Sequence, residues 1–227
     1  LVHTAVALLH YVLIEQHLLL QRGVRRISAA IVSRPAWFDL GIAHDLILFQ
    51  LGMVLSIALR GLLRRSHPEL SLQALWLKLL AGVLAIVIEL SSFAARQLAQ
   101  GGQHLAALDE SQRQALLGLV LGLRAEGYVL VMLLYAPGTG LFAYLLARSG
   151  RLPWVVGGAG TLASVLLWTT ALARIATASL PGPASASESV ARGAAVLSML
   201  FQIATGLWLI ATAVPKDRKR AEPRVVT

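Results

Sequence analysis

The segment LQALWLKLLAGVLAIVIELSSFAA, residues 72–95, decides the fold. At 1.5 Å per residue a helix of this length reaches about 36 Å, enough to cross a hydrocarbon layer about 30 Å thick. Its two ionisable side chains are Lys78 and Glu89, and Trp76 near its start and Arg96 just beyond its end are the residue types that mark lipid–water interfaces. A charged group deep in lipid costs about 2.5–3.5 kcal/mol on insertion scales, so Glu89 is a question about function as well as about packing.

Similar stretches fill most of the chain. Spans are expected at about 1–20, 39–63, 125–147, 153–178 and 194–214, besides 72–95. Residues 25–35 read as a short amphipathic connector. Asp39, after Trp37 and Phe38, is the expected N-cap of the second span. Asp109, Glu110, Ser111 and Gln112 stand in capping-box register and open an interfacial helix over about 109–123. Pro137, flanked by Gly138 and Gly140, predicts a kink or a freed carbonyl in the fourth span. Gly150 and Pro153 make the turn to the fifth, and Gly157, Gly158 and Gly160 give that helix a smooth face for close contact. The fold class is all-α: a polytopic membrane bundle of six transmembrane helices, forming one domain over 1–227.

Composition agrees. Hydrophobic residues make up 57% and charged residues 14%, against about a quarter charged in soluble domains. The loops are too short to bury a core of their own. The net charge of +9 is spread over helix ends and the tail, which suits headgroup anchoring, so no nucleic-acid partner is expected. With no cysteine, disulfides, thiolate metal sites and cysteine catalysis are excluded. The chain opens at Leu1 already in apolar sequence, which reads as a trimmed N-terminus.

Six spans place both termini on one side of a plasma (inner) membrane. With the termini cytoplasmic, eleven of the twenty basic residues lie inside, and the run from Lys216 to Arg220 sits directly at a helix end.

Gly127 and Tyr128, the run YLLARSGRLP at 144–153 and then Gly157 resemble the signature of a bacterial family of six-span membrane proteins known only as a domain of unknown function. The run LAALDESQ at 105–112 resembles that family's loop before its fourth helix. The resemblance extends from the first span into the fifth and implies a helical membrane protein. Its residues are a helix end, a glycine cap and a proline restart, so it implies no activity.

Depth carries the reading further. With each span's midpoint at its centre, Glu15, Asp45 and Glu89 fall roughly 7 Å to the outer side of the midplane. His17 and His44 lie about one residue further out, and Arg124 and Glu126 stand at the outer mouth of the fourth span. The inner half is almost purely apolar. An outward-facing polar cavity follows, able to bind or transport a proton, a cation or a small polar solute: Glu15, Asp45 and Glu89 accept, His17 and His44 relay or ligate, and Arg124 is gate or counter-ion. The bland alternative is that Arg124 neutralises Glu89 or Asp45 and only fixes helix register.

Two other classes compete. One is an accessory or scaffold subunit whose glycine-rich fifth helix packs on a membrane partner or a second copy. The other is a haem or metal protein. His3, His10 and His17 recur every seven residues on one helix face, and His44 alone matches His17 in depth, which permits one bis-histidine haem; His17, His44, Asp45 and Glu15 are ligand types for zinc or manganese. No cofactor is required by the sequence. H-E-x-x-H, G-x-S-x-G and Walker motifs do not occur, and no enzyme is expected. Tyr128, Tyr135 and Tyr144 read as a packing stripe.

Overall fold

Two prolines set helix starts in the first half of the chain. Pro35 and Pro68 each stand at the first helical position, where the missing amide costs nothing and the fixed φ suits the helix. The computed structural model describes residues 23–102, 105–177, 201 and 204–208. In them α1 (Val24–Ser33) is a short amphipathic helix, followed by α2 (Pro35–Leu63), α3 (Pro68–Gln100), α4 (Glu110–Arg148) and α5 (Trp154–Thr177). Ile31 of α1 is fully buried against Phe38 and Ile42 of α2. The α2 start differs from expectation. Asp39 lies inside the helix rather than capping it, and its Oδ2 accepts from Arg96 of α3 at 2.9 Å.

The second departure is α4. The sequence suggests an interfacial helix at 109–123 and a separate span from 125, yet Glu110–Arg148 is one continuous helix of 39 residues. Between its cap and Pro137 there are only isolated glycines, which weaken a helix without ending it. The expected capping box is formed: the Gln112 amide donates to Asp109 at 2.8 Å, and the Asp109 amide donates to Gln112 Oε1 at 3.0 Å. At the far end Gly150 adopts φ 67°, and the Gly150, Arg151 and Leu152 amides return to the carbonyls of Leu146 and Ala147. That is the left-handed turn a glycine takes without strain, and it lets α5 fold straight back along α4.

The helix runs through Pro137. The Leu133 carbonyl loses its amide donor there, and Thr139 Oγ1 donates to the neighbouring Tyr135 carbonyl at 2.9 Å. Gly138 meets the Ala74 carbonyl and the Lys78 stem of α3, an approach that any larger residue would prevent. So α4 packs between α3 and α5, and α2 packs on α3.

Four of the described helices, α2 to α5, are long and apolar enough to cross a membrane. Val54, Leu90, Leu119 and Leu162 point outward, whereas Asp45, Glu89, Ser92 and Thr139 are buried. Apolar outside and polar inside is the arrangement lipid demands. The expected first span, 1–20, lies outside the described residues. Of the expected sixth, 194–214, only 201 and 204–208 are described; they are helical, Phe201 packs on Gly160, and Trp208 Nε1 donates to the Arg151 carbonyl at 3.1 Å.

Candidate functional site

Three helices bring one ionisable residue each to a common point. Asp45 lies about 15 Å into α2, Glu89 about 16 Å before the end of α3, and Arg124 about 21 Å into α4. Because adjacent helices run antiparallel and start on opposite faces, these positions meet. One Arg124 amine, Nη2, lies 3.2 Å from Asp45 Oδ2 and 3.2 Å from Glu89 Oε1. Its Nε donates to Ser92 Oγ at 2.8 Å. Tyr128, one turn along α4 from Arg124, donates its hydroxyl to Glu89 Oε1 at 2.5 Å, and the guanidinium sits 5.0 Å from the Tyr128 ring centre. His44 Nδ1 lies 3.3 Å from Asp45 Oδ1.

The pairing is incomplete. Glu89 is 0% exposed, and among the described residues its Oε2 has no hydrogen-bond partner. A buried, unpaired acceptor costs about 1–3 kcal/mol, and more when charged. Two carboxyl groups and one guanidinium also leave the described cluster with one negative charge in excess when both carboxyls are ionised. A single proton or monovalent cation balances it, and His44 stands beside Asp45 as a further place for that proton.

Of the residues picked out in the sequence, Asp45, Glu89, Arg124 and His44 are brought together. Glu126 is not. It pairs with Arg174 of α5 at 2.8 Å on the exposed side of the α4–α5 pair. Two positions along a helix turn the side chain by about 200°, so Arg124 and Glu126 cannot share a face. Glu15 and His17, with His3 and His10, lie outside the described residues. Among the described residues no three or more of His, Asp and Glu converge as a metal-ligand group. Tyr128 and Ser92 were missed as site members, though each is one helical turn from a site residue, the spacing that puts side chains on one face.

A second buried polar layer escaped the sequence reading altogether. Lys78 of α3, assigned there only to the basic count of the inner face, reaches between α3 and α4. Its Nζ stands 3.2 Å from the Tyr135 ring centre and donates to Thr139 Oγ1 at 3.2 Å. Between the two layers Ala81, Ala85 and Val131 are buried with Leu84, Ile88 and Leu134 about them.

Two of the three glycines of α5 are used within the chain, and Gly158 faces open space. Gly157 rests against Ala147 and the Ala143 carbonyl of α4, and Gly160 against Phe201. An apolar hollow of about 250 Å³ opens beside Pro137, lined by Gly140, Leu141, Tyr144, Ser164 and Trp168 among others.

No curated protein and no solved structure matches the chain. A family model does, over residues 1–213, and the chain belongs to that family, described as Domain of unknown function (DUF4386).

Proposed function

We propose that this is a six-span integral protein of a bacterial plasma membrane, with spans at 1–20 and 194–214 beside the four helices above, and that it binds a proton or a small monovalent cation at Asp45, Glu89 and Arg124. The observation that carries the reading is Glu89 Oε2, fully buried and unpartnered among the described residues. A proton there removes an uncompensated charge, and a bound cation does the same by coordination. Arg124 is the fixed counter-ion, held by Ser92 and by the Tyr128 ring. Cytoplasmic termini would put this cluster in the outward half of the bilayer. The chain has no cysteine, so single introduced cysteines report topology without background.

The accessory-subunit reading has less support, because Gly157 and Gly160 are occupied within the chain and only Gly158 of that glycine face is open. Haem or metal ligation by His17 and His44 is a third reading; of the two only His44 is among the described residues, and its Nδ1 lies 3.3 Å from Asp45 Oδ1.

Infrared spectroscopy of the purified protein tests the proposal. A protonated-carboxyl stretch that is lost in both Glu89→Gln and Asp45→Asn identifies the proton form. Its absence, together with a thermal shift on adding sodium or potassium that Glu89→Gln abolishes, identifies the cation form. Neither signal in the wild type sinks the reading.

A further inference from the structure

The two polar layers have opposite needs. The Asp45–Glu89–Arg124 layer carries one negative charge in excess, while Lys78 is a cation whose partners are the neutral Tyr135 and Thr139. Both lie on α3, on either side of its middle: Lys78 about 9 Å and Glu89 about 7 Å from it, in opposite directions. Transfer of one proton from Lys78 to Glu89 leaves an amine in one layer and a neutralised cluster in the other. An isolated charge in each half of the membrane interior is thereby removed at once.

We infer that Lys78 and Glu89 are the two stations of a proton path along the α3–α4 seam, with the layer of Ala81, Ala85 and Val131 as its gate. The inference rests on the proton form of the function proposed above. In the step the N–H bond at Lys78 Nζ breaks and an O–H bond forms at Glu89 Oε2, the proton travelling through water admitted between α3 and α4. Lys78 is then reprotonated from the aqueous phase on its own side, and Glu89 discharges past Asp45 and His44. No redox partner is needed. The gate suits the task, because Ala81 and Ala85 project only methyl groups and a small separation of the helices opens a file wide enough for water. Among the described residues the polar groups facing Lys78 are Tyr135 and Thr139 on α4. Among the described residues those facing Glu89 are Asp45, with His44 beside it, on α2 and Arg124 and Tyr128 on α4, with Ser92 on its own helix.

The full chain reconstituted in vesicles with an internal pH dye, under an imposed membrane potential, measures the path. Wild-type vesicles are expected to conduct protons above the protein-free background. Lys78→Met and Glu89→Gln should each fall to that background while keeping the helical circular-dichroism signal. Lys78→Arg is the sharper variant, since it preserves a cation over the Tyr135 ring but cannot release a proton, so it should also fail to conduct. No flux from the wild type, or wild-type flux through Lys78→Arg, would overturn the path. The cluster can be judged separately. A carboxyl stretch lost in Glu89→Gln but accompanied by no flux leaves the binding site standing without the path. Flux that survives Glu89→Gln removes the path, and the site falls with it only when the carboxyl stretch and the cation-dependent thermal shift are absent as well.

Discussion

The two halves of the α3–α4 seam handle buried charge differently. On the Glu89 side three helices contribute charged groups that depend on one another, a single guanidinium being shared by two carboxyls while Glu89 Oε2 has no partner among the described residues. On the Lys78 side two helices contribute, and the cation is answered by a ring face and a hydroxyl. The first arrangement is mutually dependent: take away one member and the others are stranded in a poorly solvating interior. The second is not, because among the described residues nothing around Lys78 requires its charge. Only the first should therefore determine how the helices assemble.

The largest expected effect follows directly. Arg124→Ala leaves Asp45 and Glu89 buried together and should cost about 3–5 kcal/mol of stability, read by denaturation in micelles. A cost below that of Lys78→Met would break the comparison. Lys78→Met replaces a cation by an apolar chain of similar shape among neutral neighbours, and a loss of about 1 kcal/mol is expected, the worth of the ring contact. The smallest effect belongs to a charge outside both layers. The Asp109 carboxyl accepts from the Gln112 amide and the Ser111 hydroxyl, which hold it below its ordinary value of 3.8. A depressed carboxyl stabilises the fold fully above the ordinary value and loses that contribution as pH falls through the lowered one. Asp109→Ala should thus lower the melting temperature slightly at neutral pH, and the gap from wild type should close in acid. A gap that stays constant with pH would show that the capping charge does not contribute.

Depth was legible in the sequence because the rise of a helix is fixed: Asp45 and Glu89 could be placed at one level by counting residues from each span's centre. Direction was harder, since it depends on how each helix is rotated. Glu126 was grouped with Arg124 on depth alone, although their spacing sets them on opposite faces. Tyr128 was read into a stripe with Tyr135 and Tyr144, but the first two stand over different cations, Arg124 and Lys78. Lys78 enters the sequence reading only among the basic residues of the inner face, because counting along the span does not say that its side chain turns to α4, where Tyr135 and Thr139 meet it. The continuity of α4 was hidden by the polar cluster Arg124, Ala125, Glu126 and Gly127, which looks like a boundary until its two charged members are seen to be paired with α2, α3 and α5.

The turn at Gly150 has a consequence for biogenesis. So few residues separate α4 from α5 that, in a bilayer, the two would cross as one hairpin, with Arg148 and Arg151 at its hinge. Its orientation would be decided once for both helices, and that choice would fix the side on which Asp45, Glu89 and Arg124 lie.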